Sequence, residues 1–500
     1  MPTKHPCHFS KVEGLAAGCY LPALGISLFL LSLFSSVADA GPWMDPGDPM
    51  LRHDVQLLSD AGVIKVPLTT WPLAWADVVR DIQTFQGRLS LSLTQARLRV
   101  LHQYRRESRV HDVTPHLRIA AALHPVQYRT FEDTPREGGE LEAGADWTGS
   151  IFAYRLQVTA VESPDDDRPI RLDGSYAAAI WGNWVFSAGA QERWWGPGWE
   201  GGLILSNNAR PIPSITVQRY MSDPFETKLL HWLGPWQFLF GIGELADRSD
   251  VPNTLFMEMR LNIRPTPSLE LGASRTALWG GEGRPENIAT LRRLLLGQDN
   301  VGSQGITASN QPGDQLAGFD FRWQSPLFNA PYAVYGQFIG EDEAGGLPSK
   351  YIGMGGVETW GPWGNEGASW RLHAEYANTA VNGFFGGTEQ FGVAYTHSIY
   401  TDGYTYRNRI IGDSIGGDGR EISLGLLYAT AAGKTWDILL SHIEPQYDLA
   451  TSPSYLNVQL GHRFVWRSYA ISLHVGAMQE HQTSGDDIEA QADAQVEWHF

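Results

Sequence analysis

From about residue 115 onward, apolar and polar positions alternate with a period of two, which predicts β-strands with one apolar and one polar face. The alternation is clearest in "AQADAQVEWHF" (residues 490–500), where every second residue is apolar and those between are polar. The segments "YAISLHVGAM" and "LNVQLGHRFVW" repeat the pattern. A soluble β-sandwich would also alternate, so the period alone does not settle the fold class.

Three further features favour a transmembrane β-barrel. Strand candidates recur over roughly 370 residues, about 20 residues apart, as expected for a strand plus its turn. The chain has 19 Trp, 18 Tyr and 20 Phe, many near predicted strand ends, where aromatic girdles form. The chain stops at Phe500 inside an alternating strand, as a barrel that pairs its last strand with its first requires. We predict a large antiparallel barrel of about 18 strands over residues 113–500, with a polar lumen.

Residues 41–112 have helical periodicity instead and predict a small α-helical bundle. Asp48 can cap a first helix that starts at Pro49 and ends at Gly62. Further helices are predicted at about 73–85 and 93–107. Because so small a bundle cannot complete its own core, we expect it to pack against the strand region after it.

A fourth, short helix is predicted in "RPENIATLRRLLLGQDN", with Pro285 near its start and Gly297 at its end. It is too short to span a membrane, and Arg292 and Arg293 make it too basic to face lipid. We expect it to lie in a long loop or inside the lumen.

Residues 1–40 have the features of a secretory signal peptide. Lys4 and Lys11 precede the apolar run 21–34, and Ala38-Asp39-Ala40 provides a small-residue cleavage site before Gly41. Both cysteines, Cys7 and Cys19, fall in this segment. Cleavage near Ala40 would leave no thiol, which excludes disulfides, thiol catalysis and cysteine metal sites.

Charge and hydropathy limit the partners. The formal net charge of -18 argues against nucleic acid, which requires a basic surface. No later run of about 20 apolar residues predicts a spanning helix. An exported barrel of this kind is expected in the outer membrane, in contact with its lipid.

Local catalytic signatures are missing from the sequence. It contains no paired histidines at metal spacing and no G-x-S-x-G elbow, so we expect no cofactor, no metal and no enzymatic activity. A hydrolase that draws Ser, His and Asp from distant strands at the barrel rim stays open. The acidic turn "PDDDRP" lacks the glycine and glutamate of a calcium loop and is better explained as a solvated turn.

Tryptophan beside Gly-Pro occurs at Trp194, Trp232 and Trp360. At Trp232 and Trp360 we interpret the motif as a turn with interfacial tryptophans. After Trp194 the chain continues "GPGWEGGLILSNNARPIPS", in which Pro211 and Pro213 interrupt any strand. Irregular backbone cannot face lipid, so this segment is expected in the lumen or at a rim. Indole faces, amides and guanidiniums suit sugar rings, but a structural plug would use the same groups.

The segment "RWWGPGWEGGLILSNNARPIPS" resembles the signature region of the Wzi family of capsule-assembly proteins. The segments "LLSDAGVIKVPLTTWPLAWADV" and "GDQLAGFDFRW" are similar to other recurrent parts of that family, in the same order along the chain. The resemblance implies a non-catalytic outer-membrane barrel with a periplasmic bundle, which binds capsular or extracellular polysaccharide and helps organise or attach the capsule at the cell surface. We also expect a monomer, with the capsule export machinery as a partner. A porin or sugar-conducting channel is the alternative.

The resemblance carries seven positions over as candidates for polysaccharide contact or for a lumen plug. They are Arg193, Trp194, Trp195, Trp199, Asn207, Asn208 and Arg210. Capsules are often acidic, so any contact by this acidic chain would depend on local arginines and not on net attraction.

Overall fold

The structure, a computed structural model, describes residues 43–500 apart from 247, 296–312, 326–329, 345–346, 450 and 483–484. The predicted signal peptide lies outside the described residues. Helices α1 (Pro49–Asp60), α2 (Trp75–Thr84) and α3 (Leu91–Glu107) confirm the helical start. Asp48 caps α1 as predicted, because its carboxylate accepts hydrogen bonds from the Met50 and Leu51 amides at 2.9 and 3.1 Å. None of the described helices is long and apolar enough to cross a membrane.

The described residues after the helices form a closed antiparallel barrel of 18 strands longer than two residues, which confirms the predicted fold class. The strands are β1 (Val113–Leu123), β2 (Gly139–Thr148), β3 (Phe152–Val161), β4 (Tyr176–Trp181), β5 (Trp184–Gly189), β6 (Ser214–Arg219), β7 (Trp236–Leu245), β8 (Thr254–Thr266), β9 (Leu269–Trp279), β10 (Gly313–Gln324), β11 (Tyr332–Ala344), β12 (Leu347–Trp363), β13 (Ala368–Asn378), β14 (Arg420–Ala429), β15 (Thr435–Glu444), β16 (Ser454–Trp466), β17 (Tyr469–Gln482) and β18 (Gly485–His499). Strand β18 pairs with β1, for example Val496 with Ile119, and closes the cylinder.

The two faces of the wall differ as the alternation predicts. In β14, Ile422, Leu424 and Leu426 are exposed on the outside, whereas Glu421 and Ser423 are buried towards the lumen. Segments of the chain fill the lumen, so many polar side chains of the inner face are buried and do not face water. The barrel therefore has an apolar outside and a packed polar interior.

The longest connections between strands lie at one end of the barrel, and those at the other end are short apart from residues 220–235. At one end, which we call the helix end, strands are joined by turns such as Gly364–Gly367, where α3 packs against Gly367. At the other, the loop end, residues 124–138, 162–175, 190–213 and 379–419 connect the strands. Of these we call residues 190–213 the plug segment and residues 379–419 the lid.

The helices close one end of the lumen and do not stand apart from the barrel. Helix α1 is buried along nearly its whole length. Its His53 imidazole bonds the Ser369 hydroxyl at 3.0 Å, and the Gln56 amide donates to Glu358 at 3.0 Å. The inward face of β12 and β13 thus supplies the surface that the small bundle needs for its core.

The fourth helix, α4 (Ile288–Leu295), forms in the long β9–β10 connection as expected. It lies against the outer wall and not in the lumen, since Leu294 packs with Met257, Ala277 and Trp279. Arg292 and Arg293 stay exposed on its other face. The predicted end at Gly297 lies outside the described residues.

The two Gly-Pro interpretations have different outcomes. Gly234 adopts a positive φ of 68° in a turn, and Trp236 begins β7, as predicted. The interpretation of Trp360 is wrong, because Trp360 and Pro362 lie inside β12. Trp360 is only 5% exposed and faces the lumen between the guanidiniums of Arg322 and Arg371. The position of Trp360 in the alternation of β12, and not the Gly-Pro motif, places its side chain on the lumenal face.

Candidate functional site

The plug segment leaves the wall after β5, crosses the lumen and returns to the wall at β6. Trp194 and Trp195 pair antiparallel with Trp71 and Thr70, so a short two-stranded sheet joins the plug segment to the N-terminal region. The Gln337 side chain continues this support, since its amide donates to the Trp195 carbonyl at 3.0 Å and its carbonyl accepts from the Leu203 amide at 2.7 Å. The segment is therefore ordered by backbone hydrogen bonds, although it is not a wall strand.

The three tryptophans of the signature lie in the packed interior. Trp194 and Trp195 are completely buried, and Trp199 is 5% exposed. The Trp199 amide donates to Glu375 at 2.6 Å, and its ring stacks on His373 with centroids 5.2 Å apart. No described tryptophan of the segment presents an open face to solvent.

The two arginines of the signature are held by carboxylates. Arg193 donates to Glu258 at 3.2 Å. Arg210 forms a bidentate pair with Asp173, at 2.7 and 2.8 Å, and also bonds Asp166. Asp166 belongs to the "PDDDRP" turn, which we predicted to be solvated. The prediction is wrong for this residue, because its side chain is buried against Arg171 and Arg210.

The paired asparagines hold neighbouring loops in place. The Asn207 amide donates to the Phe131 carbonyl at 3.0 Å, and the Asn208 amide donates to the Ile410 carbonyl at 2.9 Å. Both are at most 4% exposed. All seven carried-over residues thus lie together in the lumen, six of them buried and Arg210 nearly so. This burial favours packing, but their division between packing and polysaccharide contact stays a prediction.

The lid closes over the plug segment through tyrosine hydroxyls. Tyr395 and Tyr404 stack with centroids 5.9 Å apart and donate to the Leu203 and Ile204 carbonyls at 2.6 and 2.7 Å. Tyr400 donates to the Gly280 carbonyl at 3.1 Å. The Tyr395 and Tyr404 bonds fix the lid on a part of the plug segment that has no strand pairing.

Asp413 anchors the other side of the lid. Its Oδ1 accepts from the Ile415 amide at 3.1 Å, while Oδ2 lies over Gly201, where a Cβ atom would come within 2.2 Å of it. Burial raises the pKa of Asp413 to about 6. Glycine at position 201 is required by this close approach.

A hairpin projects from the lid, between the short strands Thr405–Tyr406 and Arg409–Ile410. Arg407 and Asn408 form its tip with positive φ angles of 51° and 64°. Asn408 is exposed, and Arg407 and Arg409 are partly exposed. The plug segment holds the hairpin, because Asn208 bonds Ile410 and the Ser206 amide donates to the Ile411 carbonyl. Sequence reasoning missed these residues. The signal available was the "RNR" triplet within a long non-strand segment.

A polar cavity of about 340 Å³ lies inside the barrel near the helix end. Ten carboxylates and six guanidiniums line it, and Phe464 is its one aromatic residue besides two histidines. Such a lining suits water and ions better than the stacking of sugar rings. Arg463 lines it and donates to Glu132, whose carboxylate, with Asp437 and His474, brings potential metal-ligand atoms within 4.8 Å of one another.

Comparison with known proteins gives a consistent picture. A family model described as capsule assembly protein Wzi matches residues 109–489. A 55.8 kDa protein of the cps region of Klebsiella pneumoniae is 30% identical over 488 residues, which cover 95% of this chain and 93% of that protein. A solved structure from Escherichia coli, described as the outer-membrane protein Wzi involved in group 1 capsule assembly and as a carbohydrate-binding β-barrel, matches with a TM-score of 0.81. It is 27% identical and covers 92% of this chain and 100% of that chain.

Proposed function

This chain belongs to the Wzi family of capsule assembly proteins, and from that membership we propose that it is a non-catalytic outer-membrane barrel. We further propose that it associates with capsular or extracellular polysaccharide and helps to attach or organise the capsule at the cell surface. The related structure described as a carbohydrate-binding barrel supports this role. So does the relative from a cps region.

The filling of the lumen is the observation that carries the proposal. Among the described residues, α1 occupies the lumen from one end, and the plug segment and lid occupy it from the other. Trp195, Leu203 and Ile204 pack at the centre. A polymer therefore has no evident path through the barrel, and its contacts are expected on an outer surface. This arrangement argues against the porin alternative, which predicts ion or sugar flux in reconstituted bilayers.

We propose that the loop end faces the cell exterior and that the helices lie on the periplasmic side. The distribution of connections supports this orientation, since bacterial outer-membrane barrels have short periplasmic turns and longer outer loops. The apolar outer wall supports insertion in the membrane.

We propose the lid hairpin, residues 405–410, as a polysaccharide contact, with the plug segment as its support. Arg407 and Arg409 are partly exposed at the loop end, and Arg409 also donates to the Gln127 carbonyl at 3.4 Å. Guanidiniums pair well with carboxylates, including those of acidic sugars. The same chain carries a net charge of -18, so an acidic glycan would be repelled elsewhere. In this arrangement the buried signature residues act on binding by positioning the hairpin.

The test is binding of purified protein to capsular polysaccharide from its own host, together with capsule retention in a deletion strain. We expect Arg407→Ala/Arg409→Ala to weaken binding about tenfold and to reduce its salt dependence, without a change in melting temperature. Arg467→Ala is the matched control, because Arg467 is an exposed turn arginine at the helix end. Absence of binding by the wild type, with full capsule retention in the deletion strain, would refute the function. Equal binding by the double variant would refute only the hairpin.

Two signature substitutions separate packing from contact. We expect Trp195→Ala to destabilise the barrel, since it removes a completely buried indole from the lumen core. Arg210→Ala leaves Asp166 and Asp173 without their shared guanidinium and should loosen the loop end. A stable Trp195→Ala barrel with poor capsule retention would instead identify a glycan site. Turnover of lipid or glycan abolished by one Ser, His or Asp substitution would support the rim-hydrolase alternative.

A further inference from the structure

We propose that Glu132, Asp437 and His474 form a binding site for a divalent transition-metal ion, with Zn²⁺ as the best match. The ligand atoms come from the inward connection 124–138, from β15 and from β17, and Glu132 is more than 300 residues from the other two along the chain. One ligand atom from each of the three side chains lies within 4.8 Å of the other two. This separation explains why no local sequence motif predicts the site.

The register of four neighbouring strands brings the ligands together. Asp437 pairs with Gly461, Gly461 with His474, and His474 with Asp493, so all four positions share the lumenal face. Gly461 leaves room for the Asp437 carboxylate to lean towards His474: a Cβ atom at position 461 would lie 2.2 Å from Asp437 Oδ2. Any larger residue at 461 would push the two ligands apart.

His474 is oriented as in known histidine metal sites. Its Nδ1 lies 2.8 Å from Asp493 Oδ1, and its Nε2 lies 3.1 Å from Glu132 Oε1. When Nδ1–H donates to Asp493, the lone pair of Nε2 points towards the Glu132 carboxylate. A carboxylate behind the ligand histidine fixes the tautomer in this way and strengthens the metal bond.

The charges of the cluster favour a dication over a proton. Glu132, Asp437 and Asp493 contribute three carboxylates, of which Asp437 has no hydrogen-bond or ion-pair partner among the described residues. Arg463 is the nearby guanidinium, and it is shared with Asp48. A proton on His474 supplies one positive charge, whereas a divalent ion supplies two and engages Asp437 directly.

The donor set selects the metal class. Two carboxylates and one imidazole suit Zn²⁺ and similar ions, while Ca²⁺ and Mg²⁺ prefer oxygen ligands alone. Three protein ligands leave a fourth position for water. The polar cavity lies beside the cluster, because Arg463 lines the cavity and donates to Glu132.

The experiment uses the full chain purified in detergent, stripped with a chelator and dialysed against Zn²⁺. We expect about one Zn²⁺ per chain by elemental analysis, no competition from Ca²⁺, and a melting temperature that rises on Zn²⁺ addition. Asp437→Asn and His474→Gln should each weaken Zn²⁺ affinity at least tenfold and remove the thermal response. Asp493→Asn should weaken affinity tenfold to a hundredfold while the stoichiometry persists at high Zn²⁺.

His442→Gln is the matched control, since this histidine lies on the same strand β15 but is half-exposed and points outward. Asp437→Asn keeps the test decisive if His474→Gln fails to fold, because Asp437 makes no hydrogen bond that the change would break. The proposal would be overturned if the wild type bound less than one Zn²⁺ per chain, or if Asp437→Asn bound Zn²⁺ as tightly as the wild type. The cluster would then be an ion-pair network without a metal. Polysaccharide binding is measured separately, so either proposal can fail without the other.

Discussion

The two ends of the barrel are closed by different kinds of interaction. At the helix end, Asp60 of α1 and Glu358 of β12 are bound by the guanidiniums of Arg322 and Arg371, at distances from 2.6 to 3.1 Å. At the loop end, the lid is fixed by tyrosine hydroxyls on backbone carbonyls and by apolar packing. Charged groups there mostly bond neutral partners, as Arg248 does with the Gly403 carbonyl at 3.0 Å and Asp402 with the Ser249 hydroxyl at 2.8 Å. Trp360, between Arg322 and Arg371, belongs to the charged closure.

This difference has an energetic consequence. A buried ion network is costly to break, because each partner that remains is a desolvated charge. Single hydrogen bonds of the kinds that hold the lid are weaker than a shared ion network, so the lid can open locally without unfolding the wall. The helix end is thus expected to be the permanent closure and the loop end the adjustable one.

The largest effect is expected for Arg371→Ala at the helix end. Arg371 is completely buried and contacts both Asp60 and Glu358, and its loss leaves charge uncompensated between α1 and the wall. We expect a loss of about 3–5 kcal/mol in the free energy of unfolding, measured by denaturant titration in detergent. Burial, the largest cause that lowers the pKa of His53, remains in the variant, so this imidazole is not expected to supply the lost positive charge. Arg467→Ala is the control, and equal stability of the two variants would contradict the charged closure.

The next effect is a pH dependence located in the lid. The folded pKa of Asp413, about 6, lies above the value expected in the unfolded chain, so between pH 4 and 6 the folded state binds more protons. Stability from this group is therefore fully present below about pH 4 and is lost as the pH rises through 6. The loss amounts to about 3 kcal/mol, because each pH unit of the shift is worth about 1.4 kcal/mol.

Asp413→Asn checks this assignment, because an amide does not titrate. The variant should be the more stable protein at pH 7, and its unfolding free energy should vary less than that of the wild type between pH 4 and 7. If the unfolding free energies of the two proteins changed with pH in the same way, a group other than Asp413 would be responsible for the pH dependence.

A smaller effect is expected for Tyr404→Phe. The substitution removes bonds to the Ile204 carbonyl and the Thr276 hydroxyl, worth about 1–2 kcal/mol, and keeps the ring stack. Protease cleavage within the lid should become faster while global unfolding in denaturant changes little. Tyr428→Phe, on the outer face of β14, serves as the control. Equal cleavage rates would show that the hydroxyl does not hold the lid.

The sequence predicted the wall and the helices well because both have regular periods. Alternation located strands such as β18, and Asp48 with Pro49 located the start of α1. The lumen contents were harder to predict. Pro211 and Pro213 indicated that the plug segment leaves the sheet, but its partners Glu375 and Gln337 lie more than 130 residues away. The Trp360 motif misled because a Gly-Pro pair can also lie within a strand, where alternation determines the side of each residue.

The seam between the first and last strands has a consequence for how the molecule is assembled. The Phe500 amide bonds the Pro115 carbonyl, and β18 pairs with β1 over residues 492–499. The cylinder cannot be completed before its final strand is available. The plug segment pairs with Thr70 and Trp71 inside the cylinder, and all four paired residues are buried there. We therefore expect packing of the interior to precede or accompany closure of the barrel. Substitutions that weaken this packing should delay the pairing of β18 with β1.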